Sequence, residues 1–173
     1  MSNGLQVKDN LINLIAKIGE KITLRRARFF DKSNGLNFFY VHSAIENNIG
    51  KIISVVKLDG IKKGKNDSIG NKIAMHIAAS NPLAIYKENI DKKIVEKELE
   101  IIKAEITNSG KPSEIAEKIA KGKISKFLSD NALMSQLWII DPKKTVSNIL
   151  KENSVDKELK ILEFEKFKVG EGV

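Results

Sequence analysis

The sequence predicts an α+β protein: an antiparallel β-sheet packed with helices, with a projecting antiparallel helical (coiled-coil) hairpin. Three observations carry this prediction. Runs of β-branched and aromatic residues occupy the first third of the chain and its end. Apolar residues at gaps of three and four mark helices before, between and after them. Residues 91–128 are strongly charged and carry an a/d pattern. At 173 residues the chain suits one compact domain or two small ones. A chain of that size buries roughly 70% of its unfolded surface, enough for a core without covalent staples.

In chain order, Val7, Leu11, Leu14, Ile15 and Ile18 form the apolar stripe of a helix that stops near Gly19. Ile22-Thr23-Leu24, Phe38-Phe39-Tyr40-Val41 and Ile52-Ile53-Ser54-Val55-Val56 read as three strands, parted by Ser33-Asn34-Gly35 and Asn47-Asn48. The third is apolar on both faces and so belongs in the middle of the sheet. Gly60 to Gly70 is a loop rich in lysine, glycine and asparagine. Ile69, Ile73, Ile77 and the small Ala74, Ala78 and Ala79 make a helix that ends before Pro82. Val95, Leu99, Ile102 and Ile106 then follow gaps of four, three and four, with Ile94 and Ile101 flanking that seam. Gly110 suits a helix C-terminus and Pro112 the first turn of the next helix, which presents Ile115, Ile119, Ile124 and Phe127. Val146 to Leu150 is a short helix, and Leu159 to Val169 a last strand whose alternation breaks once, as at a bulge. Three regions follow: residues 1–90 as the first part of the core, 91–130 as the hairpin, and 131–173 as the return to the core.

Composition excludes several chemistries. With no cysteine there is no disulfide framework, thiolate nucleophile or Cys-ligated metal, and two histidines, His42 and His76, cannot build a His-rich centre. The net charge of +8 is carried almost wholly by lysine, the arginines being Arg25, Arg26 and Arg28, and charges of both signs are mixed. That pattern is closer to a solvated surface than to a nucleic-acid stripe. No apolar run approaches a membrane span, and the N-terminus lacks a signal-peptide pattern, so an intracellular, soluble protein is expected. Gly60-Ile61-Lys62-Lys63-Gly64-Lys65-Asn66 has three residues between its glycines where a phosphate loop needs four, and Asn66 where it needs a hydroxyl; it reads as a flexible charged loop. His76 lies beside an apolar helix face and reads as a hydrogen-bonded structural histidine, whereas His42 at a strand end is a contact candidate. The pairs Glu98/Glu100 and Glu163/Glu165 read as solvated. No catalytic, cofactor-binding or metal-binding residues can be assigned, and an enzyme is not expected.

Ten short stretches together resemble one family, the bacterial and organellar translation elongation factor Ts. They are Ala16-Lys-Ile-Gly-Glu20, Leu24-Arg-Arg26, Tyr40-Val-His42, Ile49-Gly-Lys-Ile52, Ile73-Ala-Met-His-Ile-Ala-Ala-Ser-Asn-Pro82, Val95-Glu-Lys-Glu98, Gly110-Lys-Pro112, Lys126-Phe127, Asp141-Pro142 with Thr145-Val146, and Phe167-x-Val-Gly-Glu-Gly172. Each is weak alone; in register over nearly the whole chain they are specific. The resemblance implies a core subdomain with a coiled-coil hairpin, a cytoplasmic (bacterial-type) or organellar location, and guanine-nucleotide exchange on elongation factor Tu in protein synthesis. It also marks a departure. Family members carry, ahead of this region, a small helical domain and a first core subdomain with a Thr-Asp-Phe run that presses on the partner's magnesium and nucleotide region. No Thr-Asp-Phe occurs in these residues. The chain therefore resembles the C-terminal part of such a factor.

Carried over residue by residue, the resemblance places the partner contacts at Tyr40 and His42, and at Trp138, Ile139 and Ile140 ahead of Asp141-Pro142. Trp138 stands where phenylalanine is usual and Leu137 where proline is. Leu137-Trp138-Ile139-Ile140 is either an exposed apolar anchor or a buried core strand. The hairpin residues Ile94, Val95, Leu99, Ile101, Ile102 and Ile106 are candidates for homodimerisation. The alternative to a binding module for elongation factor Tu is a basic RNA- or ribosome-associated module, motivated by the net charge and the cations between Lys21 and Arg28. No cofactor is expected.

Overall fold

The computed structural model of the chain describes residues 4–62, 64–66, 68–107 and 113–172. Among these residues there are five α-helices and three strands: α1 (Val7–Ile18), β1 (Leu36–Glu46), β2 (Ile49–Asp59), α2 (Ser68–Ser80), α3 (Lys92–Thr107), α4 (Ser113–Asn131), α5 (Val146–Asn153) and β3 (Lys160–Lys168). The strands form one antiparallel sheet in the order β1-β2-β3, which makes the doubly apolar β2 central. The α+β class follows directly.

Asn47 and Asn48 join β1 to β2 in a two-residue turn, Glu46 pairing with Ile49 and Asn48 taking a left-handed φ of 63°. In β3 the register passes from Lys57↔Glu163 to Leu58↔Ile161, so Leu162 is the extra residue of a bulge, where the apolar alternation breaks. Gly19 closes α1 in the left-handed conformation (φ 78°), its N–H donating to the Ile15 carbonyl at 2.8 Å. None of the residues of α1 is buried.

The two faces of the sheet are covered differently. Ser54, Val56 and Leu58 face α2, the Ser54 hydroxyl donating to the Ala74 carbonyl at 2.5 Å. Leu58, Ile73 and Ile77 are fully buried here; each contributes about 1.5–3 kcal/mol by leaving water. Leu133, Trp138, Val146, Ile149 and Leu150 complete the same core from the segments after the hairpin. A smaller cluster of Ala84, Ile90 and Ala132, with Val95 and Leu128 packed on it, seats the base of the hairpin. Val95 and Leu128 meet at that base and Lys123 bridges Glu105 at 2.5 Å farther out, so α3 and α4 run antiparallel. The expected Gly110-Lys111-Pro112 turn lies outside the described residues.

The opposite face corrects one expectation. Ile22-Thr23-Leu24 is not a strand; it opens an irregular segment. Glu163, Glu165 and Phe167 pair with Lys57, Val55 and Ile53, and all six share this face. Arg28 bonds Glu163 at 2.9 Å, Arg26 bonds Glu165 at 3.3 Å and lies 4.8 Å over the Phe167 ring, and Asp31 pairs with the buried Lys57. Residues 25–31 thus form a strap that crosses the sheet on its side chains instead of joining the ladder. A β-propensity run cannot act as a strand when the neighbouring cations are drawn to a carboxylate row on the sheet face. The same contacts correct the reading of Glu163 and Glu165 as solvated: they are the strap's anchors.

Candidate partner-binding site

Tyr40 and His42 lie on the α2 side of the edge strand β1, where the alternation of the strand puts both on one face. Tyr40 is half-buried and its hydroxyl lies 3.3 Å from His42 Nδ1, leaving Nε2 of the exposed His42 for an outside partner. With Ile52, Met75, Ala78 and Ala79 they line a notch of about 360 Å³ between the sheet and α2. It is apolar at its base, with a polar pair at the rim.

Next to His42 the strand kinks, Ser43 taking a left-handed φ of 52°. Gly50, in the strand opposite, is what lets it kink: a Cβ there would overlap the Val41 side chain and come within 2.9 Å of the His42 carbonyl oxygen. The Ile49-Gly50-Lys51-Ile52 motif therefore has a steric reason for its glycine.

The run from Leu137 to Ile140 is neither a core strand nor a uniformly exposed anchor. Gln136 and Val146 form the root of a loop, Val146 N–H donating to the Gln136 carbonyl at 3.0 Å and Trp138 N–H to the Lys144 carbonyl at 2.8 Å. Leu137, Ile139 and Ile140 are exposed, Ile139 by 37% and Ile140 by 54%, whereas Trp138 is exposed by only 3%. Trp138 thus belongs to the core of the chain, the buried alternative for this one residue of the run: its ring stacks on His76, centroids 5.1 Å apart and planes 21° apart. The loop and the notch share α2 as support, the notch using Met75 and Ala79 and the loop root using His76.

His76 is structural. It is fully buried, and its Nε2 lies 3.0 Å from Gln136 Oε1. Burial pushes its imidazole below the ordinary histidine range, the hydrogen bond to Gln136 opposing this. The unfolded chain takes up a proton near pH ~6.5 and the folded chain only at lower pH, so between the two the unfolded state holds more protons. Stability should fall as pH drops below ~6.5, by at most about 1.4 kcal/mol per unit for this one group. A second decline should follow within the carboxylate range. There Asp31, held low by hydrogen bonds from Lys57 and Ser33, and Asp59, held low by Lys157 and the Gly60 N–H, lose their stabilising charge as they protonate. Denaturant midpoints measured from pH 7.5 to 3.5 check both steps, and His76→Gln should flatten the first alone.

In the hairpin, Ile102 and Ile106 are buried, Val95 and Leu99 half-buried, and Ile94 and Ile101 exposed, matching a seam with flanking residues. The basic segment is less available than its sequence suggests. Arg26 and Arg28 are paired with Glu165, Glu171 and Glu163, and Arg25 donates to the carbonyls of Glu171 and Gly172 at 2.5 and 3.1 Å. Sequence reasoning missed this strap, although a signal exists: arginines at 26 and 28 match glutamates at 163 and 165 with the same spacing of two. In the glycine–lysine loop, Asn66 is buried, accepting from Lys62 N–H at 2.7 Å and donating to the Asn153 carbonyl at 3.0 Å. It ties the end of the loop to the end of α5. Among the described residues no cluster of metal-ligating side chains occurs, and no helix is long and apolar enough to cross a membrane.

Comparison with known proteins agrees with the motifs. The family profile described as Elongation factor TS matches residues 1–171. The chain is 38% identical over 176 residues to the elongation factor Ts of Allorhizobium ampelinum, covering 99% of this chain and 57% of that protein. It is 36% identical over 177 residues to that of Rickettsia prowazekii and 35% identical over 177 residues to that of Rickettsia felis, each alignment covering 100% of this chain and 57% of the relative. The chain thus spans 57% of the length of these relatives. A profile match over almost every residue, joined to the fold that the motifs imply, leads to one conclusion: the chain belongs to the elongation factor Ts family.

Proposed function

We propose that this chain acts in translation elongation as the partner-gripping part of an elongation factor Ts, holding elongation factor Tu so that its GDP can be exchanged. The observation that carries the reading is the pair of exposed features on either flank of α2. One is the His42 notch; the other is the apolar apex of Ile139 and Ile140. Partner contacts at these positions are what the family resemblance implies, and the two features support that reading. A histidine edge beside an apolar notch, and two isoleucines held out on a short loop, suit a protein surface of mixed character better than a phosphate backbone. The pairing of Arg26 and Arg28 with carboxylates weighs against the RNA reading.

Titration of elongation factor Tu with this chain tests the proposal. Replacing Ile139 and Ile140 together by alanine should weaken binding by about 2 kcal/mol, roughly 30-fold. The melting temperature should fall far less than for Val56→Ala with Leu58→Ala, whose side chains are fully buried. Equal losses of melting temperature, or no change in affinity, would remove the apex from the interface. A parallel titration with RNA that binds tightly at low salt and collapses at moderate salt would favour the RNA-type alternative.

A further inference from the structure

The apex loop raises a physical question: why do the isoleucines point outward while their neighbour Trp138 is buried? An apolar loop left to itself would turn its largest hydrophobic surface inward in whatever way packing allowed. Here one side chain is selected. Trp138 lies flat on His76, and His76 is held in turn by Gln136.

Gln136 is the centre of this arrangement. Its side-chain nitrogen donates to the Asp130 carbonyl at 2.8 Å and the Ser80 carbonyl at 3.3 Å. Both are near the C-terminal ends of helices, α4 and α2, where carbonyls lack intrahelical partners. With the amide nitrogen so engaged, Oε1 must face His76, and His76 therefore donates from Nε2. The main chain of Gln136 closes the loop root with Val146, and Trp138 N–H adds the next rung with Lys144. Beyond that rung Lys144 N–H reaches the Asp141 carbonyl and Lys143 N–H reaches Asp141 Oδ1, while Lys144 Nζ pairs with Glu152 of α5 at 2.7 Å; none of these bonds holds Ile139 or Ile140 itself. Tip geometry therefore depends on the anchor beneath it.

We propose that His76, Gln136 and Trp138 are positioning residues for the apex: they touch no partner, and they fix the direction in which Ile139 and Ile140 are presented. The inference rests on the binding role proposed above. It assigns Trp138 a part in recognition through the loop instead of through contact. It also makes α2, α4 and the apex one unit, joined by a single buried amide.

The test uses the whole chain and three variants, Trp138→Phe, Trp138→Ala and His76→Phe. Three quantities are measured on each: affinity for elongation factor Tu, hydrogen exchange of the amides of residues 137–141 and 143–145, and exchange of the β2 amides as a control for global stability. Trp138→Phe keeps a flat ring on His76 and should bind within about threefold of the unaltered chain. Trp138→Ala should bind at least about tenfold more weakly, with loop amides exchanging faster while β2 stays protected. His76→Phe keeps a ring under Trp138 but loses the bond to Gln136, and should give a smaller change of the same kind; it serves if Trp138→Ala does not fold. Weakened binding with unchanged loop exchange would make Trp138 a direct contact and overturn the inference. So would loop exchange and affinity both unmoved in Trp138→Ala. If the unaltered chain does not bind elongation factor Tu, the binding role fails, and loop exchange in the variants still decides whether the anchor orders the apex.

Discussion

Gly70→Ala should destabilise the chain by about 3 kcal/mol, the upper end of the usual range for overpacking a core. Gly70 is in the first turn of α2, buried against β1, and a Cβ built there would fall within the ring of Phe38. That ring cannot retreat freely, because it packs against the main core on the α2 side of the sheet. The helix must then lift from the sheet, exposing Ile73 and Ile77, or the ring must leave its rotamer. Phe38→Leu in the Gly70→Ala background removes ring atoms at the point of collision and should recover part of the loss, although Phe38→Leu alone is destabilising. Denaturant unfolding of the two single variants and the double variant supplies the coupling energy, which should be of the sign that marks a relieved clash. Strictly additive effects would show that the ring and the glycine do not compete for space.

Saturating amounts of this 173-residue chain should accelerate GDP release from elongation factor Tu far less than an intact factor does. The expected deficit is about tenfold to a hundredfold, the range that a lost coupling free energy of roughly 1–3 kcal/mol implies. Exchange demands that a factor bind the nucleotide-free partner more tightly than the GDP-loaded one, and by linkage GDP must then weaken the factor. The resemblance assigns that differential to an Asp-Phe wedge in a Thr-Asp-Phe run, which these residues do not contain. On the proposed role, contacts confined to the notch and the apex are the same in both partner states, and equal affinity for two states shifts nothing. Release of a fluorescent GDP analogue from elongation factor Tu, with this chain and with an intact relative in parallel, decides the matter. Release at the intact factor's rate would mean that distant gripping by itself drives exchange.

Much of the fold was legible because burial leaves a period in the sequence. The β2 run, apolar on both faces, marked the central strand. The gaps of three and four in Val95, Leu99, Ile102 and Ile106 marked the half-buried and buried side of α3 and left Ile94 and Ile101 outside it. The broken alternation near Leu162 marked the bulge. Ile22-Thr23-Leu24 misled because β-propensity describes how a residue fits a pleated surface and not whether a ladder position is open to it. The burial of Trp138 was not legible for a related reason: four apolar residues in a row carry no period, so nothing local says which of them turns inward.

By itself, then, the sequence determined the family, the α+β class, the order of the main elements, the central strand and the polarity of the helices. These depend on local spacing and on motifs read in register. Tertiary structure alone decided the rest: that Arg26 and Arg28, on an exposed strap, pair with Glu165, Glu171 and Glu163, that Trp138 is an anchor on His76 while Ile139 and Ile140 stand out, and that Gly50 makes room for the kink beside His42. Each of these is a contact between residues that lie far apart in the chain or on opposite sides of a turn. Ion pairing, stacking and steric fit depend on distance in space, which only the folded chain supplies.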